Sequence, residues 1–460
     1  MTPDLSFPRR IHLVGAGGAG MGAIATVLTR MGHTVTGSDL KDGPVAERLR
    51  VAGVPVAIGH DADNIGDAEM VAISTAIPDR NVEVAAANER AVPVLRRSDI
   101  LPAISSQRRT IVVAGTHGKT TTSSMLALAL VESELRPSFI IGGDVNEIGS
   151  GAVWDEGDWF VIEGDESDRT FLSLGAEVAI ITNVEPDHLE TYGGDPDQLM
   201  EAFVEFATAA RVRVYCADDS GARAVNERVP GVTYGTSEDA DYRMVDIVRG
   251  RSSVTFTLRH KDTDVVQVQL PTPGMHNARN AAAAVVATRE IGGSAEDAAR
   301  ALARFGGVAR RFEFRGEVGG ITFVDDYAHL PTEVEAAVSA ARDGEWSRVV
   351  CVFQPHRYSR TAQLWHEFAD SFTDADVVVI TGIYSSGETP RPGITAKLVV
   401  DAVLDAHPWE NVVWLPRLED VSNWLTSRLR PGDLCLTLGA GDLTTVPDQV
   451  VDRLSPQGAP

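Results

Sequence analysis

Lysine is scarce in this chain of 460 residues, and acidic residues predominate. Only four of the 41 basic residues are lysine, whereas 65 residues are acidic, so the formal net charge is −24. Such a charge disfavours non-specific binding to nucleic acid or to an anionic membrane. An anionic substrate would therefore have to be held by local cations and by helix N-termini.

Cysteine is rare, and long apolar runs are missing. Cys216, Cys351 and Cys435 are widely separated and show no C-x-x-C spacing, which argues against disulfides and against a zinc site. Residues 1–10 lack the apolar segment of a secretion signal, and no stretch reaches the length of a membrane span. We expect a cytoplasmic protein, a monomer or a homodimer, that binds neither nucleic acid nor membrane.

The length of the chain and its alternation of apolar strand and helix patterns predict an α/β fold of three domains. We predict a Rossmann-like domain over residues 1–107, a central P-loop-type α/β domain over 108–314, and a second Rossmann-like domain over 315–460. The polar segment at residues 105–109 is the predicted first linker.

The clearest motif is Gly-Thr-His-Gly-Lys-Thr-Thr-Thr at residues 115–122. It lies between an apolar strand pattern at 110–114 and an apolar helix pattern at 125–130, so its backbone N–H groups would face an anion at the helix N-terminus. Lys119 would add positive charge, and Thr120 is suited to ligate Mg2+. The motif is shorter than the full Walker pattern, whose first glycine would fall at Val113. The alternative is an ordinary strand-to-helix turn.

A second glycine-rich turn follows the first predicted strand. Residues 15–20 read G-x-G-x-x-G, and Asp39 ends the next strand at the position of a ribose-binding acid. Alone this fingerprint suggests NAD, but other nucleotides bind similar turns. Residues 74–78 form a predicted binding loop at the end of a later strand.

Two acidic turns follow predicted strands of the central domain, at residues 163–168 and 182–188. Because the carboxyl ends of parallel strands meet at one edge, both turns should lie beside Lys119. Carboxylates there would suit metal-dependent phosphoryl transfer. Each turn could instead be a solvated loop or a helix cap.

Three further groups of polar residues stand near predicted helix starts or strand ends. Asn277 and Asn280 share one helix face, where they could read a base edge, although their spacing favours capping. The paired arginines at 310 and 311 suit a phosphate, and the group at 356–360 suits a carboxylate. A lone histidine on such a turn is more often structural.

Taken together in their order along the chain, the motifs resemble those of the Mur ligase family, the ATP-dependent amino-acid ligases of peptidoglycan precursor synthesis. The resemblance spans all three predicted domains. It implies the branch that joins L-alanine to the lactyl carboxylate of UDP-N-acetylmuramate through an acyl phosphate. It also implies ATP and Mg2+ as cofactors.

The resemblance implies a role for each motif. The UDP-substrate would contact the residues of the first glycine turn and its neighbours: Gly15, Gly17, Gly18, Gly20, Met21, Asp39, Ser74, Thr75 and Ala76. ATP would contact residues of the second motif and of later elements: Gly115, Thr116, Gly118, Lys119, Thr120, Thr121, Asn277, Asn280, Arg311 and Asp326. Magnesium would be held by Thr120, Glu163 and His188. The amino acid would be held by Tyr327, His356, Arg357 and Arg360. The implied catalytic residues are Lys119, His188, Arg311 and His329, with the two histidines as candidate bases.

Three positions deserve comparison with the family pattern. No lysine lies between Lys119 and Lys261, in agreement with an alanine-adding branch that lacks the carbamylated lysine of related ligases. Leu330 stands where a second consecutive histidine is common, and Glu190 where aspartate is usual.

Alternatives to the alanine ligase remain open at this point. A ligase that attaches a whole tripeptide to UDP-N-acetylmuramate would use the same ATP site. A nicotinamide-dependent oxidoreductase would explain only the first domain, and a nucleotide sensor would bind ATP without turnover.

Overall fold

The computed structural model describes residues 3–455 and shows three sheets made mainly of parallel strands. It divides into two compact units. Unit 1 comprises Met1–Val245, Thr257–Val268 and Arg279–Phe305, and unit 2 comprises Asp246–Phe256, Gln269–Ala278 and Gly306–Pro460. Within the described range no helix is long and apolar enough to cross a membrane.

The N-terminal sheet has five parallel strands in the order β3-β2-β1-β4-β5. The elements are β1 Arg10–Val14, α1 Ala19–Arg30, β2 Thr34–Asp39, α2 Pro44–Val51, β3 Val56–Ile58, β4 Met70–Ile73, α3 Val82–Glu89, β5 Val94–Arg96 and α4 Arg97–Ser105. Helix α1 buries Ile24, Val27 and Leu28, whose spacing places them on one apolar face. The strand order turns at β1 and β4, and a switch of this kind opens a crevice at the carboxyl ends of the strands.

The central sheet has ten strands in the order β15-β14-β13-β12-β11-β10-β6-β9-β7-β8. Its elements are β6 Arg109–Ala114, α5 Lys119–Glu132, β7 Ser138–Val145, β8 Ser150–Val153, β9 Trp159–Glu163, β10 Ala176–Ile181, α6 Pro196–Ala209, β11 Val212–Cys216, α7 Ser220–Arg228, β12 Val232–Gly235, β13 Tyr242–Arg249, β14 Val254–His260, β15 Thr263–Leu270, α8 Met275–Glu290 and α9 Ala295–Leu302.

Strand β6 lies between β9 and β10, and both neighbours run parallel to it. Its residues from Thr110 to Ala114 are buried, as expected for a strand covered on both faces. Because the three strands are parallel, the turns that follow them open on the same edge. This arrangement confirms the prediction that the phosphate loop and both acidic turns share one edge of a sheet.

The C-terminal sheet has six strands in the order β16-β17-β21-β18-β19-β20. Its elements are β16 Glu313–Val318, β17 Ile321–Asp326, α10 Pro331–Arg342, β18 Arg348–Phe353, α11 Tyr358–Leu364, β19 Val377–Thr381, α12 Lys397–Ala406, β20 Val412–Leu415, α13 Leu418–Arg428, β21 Asp433–Leu438 and α14 Val446–Leu454. All pairs are parallel except β16 with β17, which is antiparallel. The predicted α/β class of three domains is confirmed.

Candidate active site

Two glycines give the loop between β6 and α5 a backbone that other residues rarely adopt. Gly115 has φ +136° and Gly118 has φ +79°. A Cβ atom at Gly118 would lie 2.6 Å from Oδ1 of Asn280, and one at Gly115 would collide with the Thr182 hydroxyl. The loop is therefore closely packed against its neighbours, and its glycines are required by conformation as well as by space.

The side chain of Lys119 curls back onto this loop. Its Nζ atom donates to the carbonyl oxygens of Gly115 at 2.6 Å and Thr116 at 3.2 Å, and it also contacts both carboxylate oxygens of Glu166 at 3.0 and 2.9 Å. Burial raises the pKa of Glu166 above its usual range, while the ammonium of Lys119 opposes that shift. The sequence placed Glu166 in an acidic turn but did not single it out as a partner of Lys119.

A second carboxylate of the same turn faces Thr120. The Thr120 hydroxyl donates to Oε2 of Glu163 at 2.9 Å, and Oε1 of Glu163 accepts the Gly142 N–H at 2.5 Å. The hydroxyl and the carboxylate are oxygen donors of the kind that Mg2+ prefers. The structure thus brings together two of the three predicted metal ligands.

The third predicted ligand, His188, lies in the turn after β10. Its backbone is left-handed with φ +52°, and its ring nitrogens lie 3.4 Å from Asp187 Oδ2 and 3.7 Å from Glu190 Oε1. Glu190, which replaces the usual aspartate, therefore still reaches this imidazole.

The start of the same turn braces the phosphate loop. Asn183 Oδ1 accepts the backbone N–H of His117 at 2.7 Å, and the Thr182 hydroxyl donates to the His117 carbonyl at 2.6 Å. The imidazole of His117 lies 3.1 Å from a carboxylate oxygen of Glu185. The predictions did not include this support, although Thr182 to Glu185 belong to the predicted acidic turn.

The two asparagines of α8 are buried and differently bonded. Oδ1 of Asn280 accepts from the Thr122 hydroxyl at 3.1 Å, whereas Nδ2 of Asn277 donates to the Pro273 carbonyl at 2.8 Å. These bonds are not helix caps, in which the side chain accepts a backbone N–H. The structure therefore does not support the capping alternative that the spacing favoured.

The N-terminal glycine turn also carries its expected neighbours. Gly15 has φ +84°, and a Cβ there would lie 3.1 Å from Cβ of Ser74. Oδ2 of Asp39 accepts the Gly17 N–H at 2.9 Å, and the Ser74 hydroxyl accepts the Ala76 N–H at 3.3 Å. Gly18 is the N-cap of α1, so the turn presents a helix N-terminus as predicted. Gly20 and Met21 lie in the first turn of α1, and Thr75 follows β4 in the predicted loop.

In unit 2, Asp326 is buried at the end of β17. Its carboxylate accepts the N–H groups of Phe312 and Ala328, both at 2.7 Å, and burial raises its pKa to about 6. The Arg311 guanidinium lies 5.2 Å from the Tyr327 ring centre and 3.9 Å from a carboxylate oxygen of Glu333. The Asp326 carboxylate therefore links the backbone at Phe312 to the backbone at Ala328.

Two histidines of unit 2 lie in contact. His329 and His356 have ring centres 5.4 Å apart with an edge-on geometry, and His356 stacks on Tyr384 at 5.8 Å. Nδ1 of His356 lies 3.0 Å from the Arg360 guanidinium. Burial, with neighbouring positive charge, lowers the pKa of His356 to about 3, and burial also lowers the pKa of His329. His356 is therefore neutral near pH 7.

Arg357 adopts an uncommon backbone conformation beside these rings. It has φ +66°, and its N–H donates to the Tyr384 carbonyl at 2.8 Å. Its Nε atom is buried without a partner among the residues that the structure describes. A buried guanidinium N–H of this kind is a donor for a bound carboxylate. Tyr384 was missed because it lies far along the chain from His356.

Comparison with known proteins supports one family along almost the whole chain. The profile for "Mur ligase family, catalytic domain" matches residues 10–109, that for "Mur ligase middle domain" matches 113–288, and that for "Mur ligase, glutamate ligase domain" matches 310–441. The chain is 43% identical over 452 residues to the UDP-N-acetylmuramate–L-alanine ligase of Rubrobacter xylanophilus, covering 97% of this chain and 100% of that protein.

Two solved structures share the fold. The UDP-N-acetylmuramate-alanine ligase of Thermotoga maritima matches with a TM-score of 0.81 and 28% identity, covering 97% of this chain and 99% of that one. The murein peptide ligase of Psychrobacter arcticus matches with a TM-score of 0.67 and 24% identity, covering 98% and 100%. The chain belongs to the Mur ligase family.

Proposed function

We propose that this chain joins L-alanine to the lactyl carboxylate of UDP-N-acetylmuramate with cleavage of ATP to ADP and phosphate, as a step of peptidoglycan precursor synthesis. The observation that carries the proposal is the phosphate loop, with Lys119 and Thr120 each bonded to a carboxylate of one acidic turn. The 43% identity to an alanine ligase along nearly the whole chain supports this substrate pair.

The reaction proceeds in two steps. An oxygen of the lactyl carboxylate attacks the γ-phosphorus of ATP, the bond to the bridging oxygen breaks, and ADP leaves. The nitrogen of L-alanine then attacks the carbonyl carbon of the acyl phosphate, the bond to the phosphate oxygen breaks, and inorganic phosphate leaves. Lys119 neutralises charge on the transferring phosphoryl group, which is the main demand of such chemistry.

The amine of L-alanine must lose a proton before it attacks. His188 and His329 are the candidate bases, because neutral imidazoles accept protons near pH 7. The lowered pKa of His329 keeps its imidazole neutral and able to accept. Its Nδ1 lies 3.0 Å from the Tyr327 carbonyl, which orients the ring.

Magnesium fits the donors near the loop. Among residues 3–455 no group of three or more His, Cys, Asp or Glu side chains could hold a metal. Thr120, Glu163 and His188 would hold the ion, a set in which only Glu163 and His188 are of those residue types. When bound, Mg2+ would supply charge neutralisation at the phosphates.

The arginines of unit 2 suit the carboxylate of L-alanine. Among the residues that the structure describes, the buried Nε of Arg357 has no partner, and Arg360 is held by the neutral His356. Arginine forks bind carboxylates with two parallel bonds. Together with Tyr327, these groups would surround a small amino acid.

Each of the three predicted domains would have its own role. Residues 1–107 would bind the UDP moiety with its diphosphate at the N-terminus of α1, and 108–314 would bind ATP. Residues 315–460 would contact the amino acid and the nucleotide. We expect the protein in the cytoplasm, where ATP and nucleotide sugars are available, as a monomer or a homodimer.

Release of ADP tests the proposal directly. Wild-type protein should release ADP in repeated turnovers only when UDP-N-acetylmuramate and L-alanine are both present, and Lys119→Ala should lower kcat by about 100-fold or more. ADP release that needs neither substrate would overturn the mechanism. Faster turnover with the tripeptide than with L-alanine would instead favour the peptide-recycling activity.

A further inference from the structure

Glu166 is a buried carboxylate to which the proposed chemistry assigns no role. Its side chain is 4% exposed, and both of its oxygens lie within 3.0 Å of the Lys119 ammonium. Glu163, at the start of the same turn, bonds Thr120 and the Gly142 N–H instead. Glu163 and Glu166, three positions apart, therefore bond the first two side chains of α5, those of Thr120 and Lys119 respectively.

The turn that carries Glu166 is anchored on its far side. The Tyr192 hydroxyl donates to the Glu166 carbonyl at 2.6 Å, and the Arg169 N–H donates to the same carbonyl at 3.2 Å. The Thr191 hydroxyl donates to the Ser167 carbonyl at 2.6 Å. These bonds fix the backbone of the turn, so the Glu166 carboxylate is held in place beside Lys119.

The ammonium of Lys119 is more than satisfied by protein acceptors. It carries three hydrogens, and four oxygens lie within 3.2 Å of Nζ. A lysine side chain is otherwise flexible, since its charge is carried on a four-carbon stem. Glu166 and the loop carbonyls together fix where the positive charge stands relative to the loop.

We propose that Glu166 is a positioning residue for phosphoryl transfer. Its carboxylate holds the Lys119 ammonium at the phosphate loop, in the position where the ammonium would contact the γ-phosphate. The proposal rests on the ligase function proposed above. Glu166 acts only through Lys119 and does not touch substrate. A phosphate that binds at the loop would contact the same ammonium as Glu166. Because the Lys119 side chain is already ordered, phosphate binding does not have to immobilise it.

A double-mutant cycle tests this dependence. Glu166→Gln keeps the size of the side chain but removes its charge, and we expect kcat/KM for ATP to fall about 10- to 100-fold. The KM values for UDP-N-acetylmuramate and L-alanine should stay within about twofold of wild type. Adding Glu166→Gln to Lys119→Ala should change kcat/KM by less than about threefold, because the residue through which it acts is already gone.

Two variants separate positioning from general stability. Glu166→Asp keeps the charge but shortens the reach, so its kcat/KM should lie between those of wild type and Glu166→Gln. Glu177→Gln removes a carboxylate that pairs with Arg109 and Arg211 at the opposite edge of the sheet, and its kinetics should match wild type. If Glu166→Gln does not fold, a loss of at least threefold in kcat/KM for ATP by a folded Glu166→Asp variant supports the proposal.

Other results would overturn it. Wild-type kcat/KM in Glu166→Gln, or an equally large loss in both backgrounds of the cycle, would show that Glu166 does not act through Lys119. A changed Mg2+ requirement without a change in the cycle would identify Glu166 as a metal ligand instead. Calorimetric binding of ATP with Mg2+ should weaken in Glu166→Gln in parallel with kcat/KM, because we expect the loss of a fixed ammonium position to outweigh the removal of the Glu166 negative charge. This measurement needs no ligation, so failure of the proposed function would appear separately, as wild-type protein that releases no ADP.

Discussion

A methyl group added at Gly118 would test whether the phosphate loop is held by close packing. The left-handed backbone of Gly118, at φ +79°, costs an alanine about 1–2 kcal/mol. Its Cβ would also stand 2.6 Å from Oδ1 of Asn280, which accepts from the Thr122 hydroxyl. Displacing that oxygen loses a buried hydrogen bond, worth about 1 kcal/mol. We therefore expect Gly118→Ala to lower the free energy of unfolding by about 2–3 kcal/mol.

Gly292 provides a matched control. It also has a left-handed backbone, with φ +91°, but a Cβ there would meet no atom within 4 Å. Gly292→Ala should therefore show only the conformational cost of about 1–2 kcal/mol. Urea unfolding followed by circular dichroism measures both variants, and the difference between them isolates the contact with Asn280.

Enzyme activity provides a second comparison of Gly118→Ala with Gly292→Ala. A shifted loop misplaces the backbone N–H groups and Lys119, so kcat/KM for ATP should fall about tenfold or more in Gly118→Ala. In Gly292→Ala it should be unchanged. Equal destabilisation of the two variants, or wild-type kinetics in Gly118→Ala, would refute the reasoning.

Three other perturbations give direct tests. Asp326 has a pKa of about 6 when folded against an ordinary value of 3.8, so its contribution to stability is complete below pH 3.8 and is lost as the pH rises through 6. Asp326→Asn should remove up to about 3 kcal/mol of this pH-dependent loss between pH 4 and 7 in urea unfolding, and an unchanged slope would contradict it. Arg360→Lys should raise the KM for L-alanine by on the order of tenfold, because an ammonium lacks the planar fork, with the KM for ATP as internal control. Thr120→Val should raise the Mg2+ concentration for half-maximal activity by about tenfold or more, while Thr120→Ser should retain wild-type behaviour.

Local patterns predicted the strands and helices that carry the loops. Strand β6 and helix α5 follow from apolar runs on either side of residues 115–122, and the positions of β9 and β10 follow from theirs. The parallel arrangement then places the turns on one edge. Strands β13 to β15 were not predicted, because polar residues are interspersed among their apolar residues and no continuous apolar run forms.

The partners of individual side chains could not be predicted in the same way. The sequence shows Glu163 and Glu166 in one turn, but only the path of the turn decides that Glu163 meets Thr120 and Glu166 meets Lys119. Asn280 bonds Thr122 across 158 residues of chain. Contacts at such separations depend on tertiary packing, which no local pattern encodes.

The charge of the chain gives this pairing a functional consequence. A protein with a formal charge of −24 repels anionic substrates at long range, so attraction must be local. Yet the carboxylate of Glu166 offsets the charge of Lys119, and Glu163 adds a further negative charge at Thr120. The N-terminus of α5 adds a positive potential equivalent to only about half an elementary charge. A nucleotide triphosphate would then be held well only together with a divalent cation, which makes the proposed Mg2+ a requirement for binding as well as for phosphoryl transfer.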